Sequence, residues 1–399
     1  MSQLIISRLL KPSISRNVLR RANVRLFSST SASDSDDDET TGNGLFYSRT
    51  PYPFLFIDHI LNNPDSPDGR VKKYYDDVDK LGRSTGIIIN DKTLAEEVCN
   101  AMTAGFSRDG LQFWRYGDNG FSISYKPSNR KLKDMTVYLP DLPTGSKIQS
   151  LAMSSLPNRE KDWVVGVTLS GSRLSICRPF GSCKWIDFKS RNPCMDPLSS
   201  LMFSKRYKSF YIPSPGGNFL CFLQKPFEEL DYCDLVFGDL PNSVLQDSAK
   251  VSSCSRSDHP VESPTGDIFL VKWYSEDVER YENNESNMST LTRETKKFMV
   301  FRQEETDSCY MYEKTMIYTE DIGDLCIFLG HSEAYCVPAS SSPGLRPNCI
   351  YFVGRNFGVY DLTTKTCTTF YTDLPAYSTF PKHPLRKTEF PYWPSQVTP

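Results

Sequence analysis

Among residues able to do chemistry, the acidic trio Asp76, Asp77 and Asp79 comes nearest to a hard-cation site. It lacks the spaced glycine and distal glutamate of a calcium loop, so it reads as a solvated turn. The four histidines, His59, His259, His331 and His383, form no H-x-x-x-H or H-x-H pair that could aim two rings at one ion. The 12 cysteines include no C-x-x-C; Cys177 and Cys183 stand six apart, Cys326 and Cys336 ten apart. Several lie in apolar runs such as Leu220-Cys221-Phe222-Leu223 and Leu325-Cys326-Ile327-Phe328, where a free thiol packs as a small hydrophobe. Lys205-Arg206-Tyr207-Lys208 could contact phosphates, but one such cluster in an acidic chain reads as a solvated loop. Phosphate-binding G-x-x-x-x-G-K-[ST] and G-x-G-x-x-G, the G-x-S-x-G elbow and H-E-x-x-H are absent. The residues therefore predict no catalytic group, no cofactor and no metal ligand.

The elements around these residues read as strands. From residue 105 onward, runs of five to eight apolar or alternating residues recur between Gly, Pro, Asn, Asp and Ser clusters, as in Trp163–Leu169, Phe219–Leu223, Leu325–Leu329 and Cys349–Val353. Ser170-Gly171-Ser172 and Thr363-Thr364-Lys365 are the right length to turn antiparallel hairpins. One helix is predicted: Thr93-Leu94-Ala95-Glu96 has capping-box spacing, Leu94, Val98, Ala101 and Met102 share a face, and Gly105 would stop it. Residues 282–295 read as an exposed insertion, and Trp114, Trp163, Trp185, Trp273 and Trp393 as fillers between sheets.

So many short strands fit a sandwich poorly and a radial array well. Residues 45–380 number 336, about seven units at the ~40 to 50 residues of a four-stranded blade. The predicted fold class is all-β, a β-propeller of about six to seven four-stranded blades with a short helical N-terminal segment. Residues 45–104 form that segment, 105–380 the propeller and 381–399 a Pro-rich tail.

Charge is divided unevenly along the chain. Residues 1–30 hold six basic residues (Arg8, Lys11, Arg16, Arg20, Arg21, Arg25) and no acid; the remainder holds 40 basic against 48 acidic, a balance of −8. A cationic, amphipathic, Ser-containing leader is what a mitochondrial transit peptide requires. Arg25-Leu26-Phe27-Ser28-Ser29 resembles the common plant processing site, which places cleavage after Phe27, with Arg25, Phe27 and Ser28 as its residues. A chloroplast address, or dual targeting, is the alternative. Residues 28–44, with Asp34, Asp36, Asp37, Asp38 and Glu39, read as an acidic disordered linker. At 39% hydrophobic and 13% aromatic the chain can build a large core, and a pI near 6.2 speaks against general nucleic-acid binding. No apolar run reaches the ~18 residues of a membrane span.

Several blocks together resemble a known family. They are Ala152-Met153-Ser154-Ser155, Asp162-Trp163-Val164-Val165-Gly166-Val167, Pro264-Thr265-Gly266-Asp267-Ile268-Phe269, and Arg346-Pro347-Asn348-Cys349-Ile350-Tyr351-Phe352 with Gly358-Val359-Tyr360-Asp361-Leu362. They resemble the plant KIB-type F-box-associated β-propeller family over roughly residues 105–370. The resemblance implies a propeller with no catalytic residues. A leader in place of the F-box implies an organellar branch, without ubiquitin-ligase recruitment. Pro347, Asn348, Gly354 and Gly358 read as turn or bulge residues. The expected function is a non-enzymatic mitochondrial binding scaffold with an organellar protein partner. Its rivals are a propeller hydrolase with a central metal and an organellar RNA-associated factor.

Overall fold

The computed structural model describes residues 26–27, 54–61, 70–78, 84–93, 102–116, 119–125, 135–157, 162–170, 173–189, 199–281, 289–305, 313–341, 345–354 and 357–370. An N-terminal sheet of β1 (Leu26–Phe27), β2 (Phe54–Leu61), β3 (Arg70–Val78) and β4 (Ser84–Thr93) comes first. Two four-stranded meanders follow. One holds β5 (Met102–Phe106), β6 (Gln112–Tyr116), β7 (Gly120–Tyr125) and β8 (Met135–Leu139). The next holds β9 (Ile148–Met153), β10 (Val165–Leu169), β11 (Arg173–Cys177) and β12 (Trp185–Lys189).

Two further four-stranded units fuse into one eight-stranded sheet. They are β13 (Met202–Ser204), β14 (Ser209–Pro213), β15 (Phe219–Gln224) and β16 (Asp231–Phe237), then β17 (Ser255–Glu262), β18 (Ile268–Tyr281), β19 (Ser289–Gln303) and β20 (Glu313–Thr319). Parallel pairing of β16 with β20, Asp234 opposite Glu313 through Phe237 opposite Met316, makes the join. Helix α1 (Asn242–Lys250) links the two units. The last sheet contains β21 (Leu325–Leu329), β22 (Tyr335–Pro338), β23 (Cys349–Val353), β24 (Phe357–Asp361) and β25 (Thr366–Phe370). Counting the fused sheet as two, the described strands form six units, the repetition expected of a propeller.

From the β5–β8 unit onward successive units pack face to face, and strand alternation decides which neighbour each side chain meets. Phe113, Phe121 and Ile123 pack on Leu151, Val165 and Val167. Leu174 and Ile176 pack on Phe203, Phe210 and Ile212. Tyr211, between Phe210 and Ile212, faces the other way, toward Leu270, Met299 and Phe301. Val271 and Phe298 then meet Ile327, Ile350 and Phe352. Sheets covered on both faces bury successive residues and favour apolar runs, and β10, β14 and β23 are buried throughout. Gly166 serves this stacking directly. A Cβ there would lie 2.8 Å from the Phe210 ring, so glycine lets the next unit approach β10.

The hairpin expectations hold. β10 and β11 pair around residues 170–172, and Asp361 caps the β24–β25 turn by accepting from the Thr363 and Thr364 N–H groups at 2.9 and 3.0 Å. Asn348 adopts a positive φ of 55°, and a Cβ on Gly358 would lie 2.2 Å from the Thr368 carbonyl, so both residues serve backbone shape. Buried, free Cys177, Cys221, Cys233, Cys326, Cys336 and Cys349 bear out the packed-thiol reading.

Three local expectations need correction. The predicted helix near residue 93 is replaced at both described ends by strand: Thr93 ends β4, and Met102 and Gly105 belong to β5; residues 94–101 lie outside the described residues. Cross-strand partners override local helix preference there, with Met102 opposite Arg115 and Thr103 opposite Trp114. Asp76 and Asp77 are strand residues of β3, opposite Ile87 and Gly86, not part of a turn. Residues 289–295 of the supposed insertion extend β19, because a Thr-rich stretch pairs with 275–281 of β18. Helix α1 has only weak sequence signals, Pro241 at the N-cap position and Lys250 in the last turn.

Candidate functional site

Four distant stretches of chain bring their charges together where the β5–β8 unit meets the last sheet. β5 ends at Phe106, and Ser107 then shapes a tight turn by accepting from the Asp109 and Leu111 N–H groups at 3.2 and 3.1 Å. That turn presents Arg108. Its Nη1 donates to Glu262 Oε2 at 3.1 Å, and its backbone N–H donates to Glu333 Oε2 at 3.0 Å. Glu262 closes β17 and is the best-satisfied carboxylate of the cluster. Its Oε1 accepts from Ser204 Oγ at 2.7 Å and the Arg206 N–H at 2.9 Å, and its Oε2 also accepts from the Lys205 N–H at 2.7 Å. Lys205 Nζ reaches Asp109 at 3.0 Å.

Backbone bonds reinforce the meeting. The Glu333 N–H donates to the Phe106 carbonyl at 3.1 Å, and the Phe106 N–H donates to Ser332 Oγ at 3.0 Å. These bonds return the last unit to the β5–β8 unit and form a seam in the ring of sheets.

The electrostatics separate the two glutamates. Burial pulls Glu262 upward, but the Arg206 N–H, the Arg108 charge, the Lys205 N–H and Ser204 outweigh it and hold the carboxylate below its ordinary value. Glu333 is pushed up to about 7 by burial, against the pull of Arg108.

Elsewhere, His259 has Ser200 Oγ on Nδ1 at 3.0 Å and Ser257 Oγ on Nε2 at 2.8 Å. Burial, then the nearby His331, pushes its pKa down to about 4, so the ring stays neutral and is a weak base. The buried Asp258 forms an ion pair with Arg256 at 3.1 Å. Lys272 sits 3.9 Å from the Phe237 ring centre, and burial draws it down to about 8. No group of three or more His, Cys, Asp or Glu positioned for a metal occurs among the described residues. An open groove of about 530 Å³ lies between the Pro140–Thr144 stretch and Trp185, whose indole N–H donates to the Pro140 carbonyl at 2.7 Å.

A repeating array of mainly antiparallel sheets joined by a seam is a propeller architecture, and the KIB1-4 β-propeller family model matches residues 126–361. The chain belongs to the KIB1-4 β-propeller family. The fold is in general one for binding and scaffolding, and the expected KIB-type resemblance is borne out. No curated protein matches this KIB1-4 propeller. Solved structures similar to it include YCF48 bound to a D1 peptide, at 10% identity over 67% of this chain and 81% of that one, with a TM-score of 0.27. The Cps50 (Swd1) propeller of Myceliophthora thermophila gives 10%, 67%, 85% and 0.30. A Bacteroides fragilis protein described as a 6-phosphogluconolactonase gives 9%, 84%, 95% and 0.30.

Within this KIB1-4 propeller the basic cluster proves to be the β13–β14 turn, part of the internal network. Lys205 and Arg206 give backbone donors to Glu262, Arg206 Nη1 pairs with Glu305 at 2.7 Å, and the Tyr207 ring lies beside Lys314. Trp114 and Trp163 are buried, and Trp185 and Trp273 are half-buried between units. Of the processing residues, Phe27 falls in β1, opposite Asn90; Arg25 and Ser28 lie outside the described residues, as do the linker at 28–44, the tail at 381–399, Trp393 and Asp79. Sequence spacing missed the Arg108–Glu262–Glu333 cluster, whose members sit 154 and 225 positions apart.

Proposed function

We propose that the chain is a non-catalytic binding scaffold of the mitochondrial matrix, in an organellar branch of its family, acting through an organellar protein partner. The observation that carries this reading is the use of the buried charges. Arg108, Glu262 and Glu333 hold the ring together, and the neutral His259 is enclosed by serine hydroxyls, so these groups shape a frame for exposed loops. The basic, acid-free leader supports the address. No membrane-spanning partner segment or nucleic acid is invoked; no helix among the described residues is long and apolar enough to cross a bilayer.

Proximity labelling with the full chain in intact plant cells tests both parts. The expected outcome is a matrix-confined signal with one reproducible protein neighbour. Labelling confined to chloroplasts or cytosol would overturn the address. Purified protein carrying one divalent ion per chain together with hydrolytic turnover would replace the scaffold reading with an enzymatic one.

A further inference from the structure

Glu333 joins the last sheet to the β5–β8 unit with both its backbone and its side chain. Its N–H bonds the Phe106 carbonyl, and its Oε2 accepts the Arg108 N–H. The side chain is fully buried, and Oε1 has no hydrogen-bond partner, standing 3.9 Å from Arg108 Nε. Nε and Nη2 of the guanidinium also lack hydrogen bonds, while Nη1 is bonded to Glu262. Other charged groups of the cluster are Asp109 on the same turn as Arg108, Lys205 on the β13–β14 turn and Glu262 at the end of β17. His331, two positions earlier, is kept neutral by burial.

An ionised Glu333 would add a second buried negative charge beside Glu262 against one guanidinium, with its Oε1 3.9 Å from Nε and so beyond hydrogen-bond distance. We propose that the seam is a proton-operated latch, fastened while Glu333 carries its proton and loosened when the proton leaves. Burial sets the working range, since the closed seam keeps the proton up to about pH 7 while an ordinary glutamate releases it near 4.5. A folded value raised above the open one favours the closed state at low pH. Opening therefore becomes easier as pH rises from 4.5 to 7 and levels off above 7.

Amide hydrogen exchange on the full chain between pH 5 and 8.5, corrected for intrinsic rates, tests the latch at Phe106, Arg108 and Glu333. Their opening should rise about tenfold per pH unit below 7 and then flatten. E333Q should remove the slope. A flat wild-type profile, or an equal slope in E333Q, would overturn the proposal. Should E333Q not fold, the wild-type amides of β10 decide: a slope shared with them would mean a global effect and no latch.

Discussion

Glu262 and Glu333 occupy the same buried cluster and lean on the same guanidinium, yet they lie on opposite sides of their ordinary pKa. Glu262 ends a strand where the β13–β14 turn points two backbone N–H groups and a serine hydroxyl at it. Glu333 lies on the 330–334 turn between β21 and β22, with one backbone donor to its carboxyl and one oxygen unbonded. Burial alone therefore does not determine the charge state of a carboxylate here. The number of donors that the local backbone aims at it does.

Removing the shared cation should have the largest effect. Arg108→Leu leaves the buried Glu262 carboxylate without its counter-charge and should lower unfolding stability by about 4 kcal/mol, read from urea or thermal melts. Glu262→Gln should follow at about 2 to 3 kcal/mol, because an amide can place only one acceptor oxygen among donors on both sides. Its pH dependence sharpens the contrast with Glu333. A lowered folded value means Glu262 stabilises fully above the ordinary 4.5 and loses that contribution as pH falls through its native value. The gap in melting temperature between wild type and E262Q should therefore narrow below pH 4.5, opposite in sense to the Glu333 effect; a constant gap would contradict the assigned charge. Lys205→Ala breaks a half-exposed pair with Asp109 and should cost only about 0.5 kcal/mol.

The strands were legible because sheets covered on both faces leave apolar runs such as Val165–Leu169 and Cys349–Val353, the second preceded by a turn at Pro347 and Asn348. Buried thiols were legible for the same reason. The cluster was not, since Arg108, Glu262 and Glu333 are single charges at the ends of strands or in turns, and only the closing of the ring brings them together. The helix expected near residue 93 shows the limit of local patterns: Thr93 and Met102, at its two described ends, pair across strands, while α1 formed where Val244 could enter a core.

The parallel join of β16 to β20 has a consequence for how the molecule comes apart. Two neighbouring units share one unbroken backbone ladder, so neither can peel away without exposing the other's outer edge. Residues 202–319 should consequently loosen and re-form as one block, and a protease admitted to either half would find both open together.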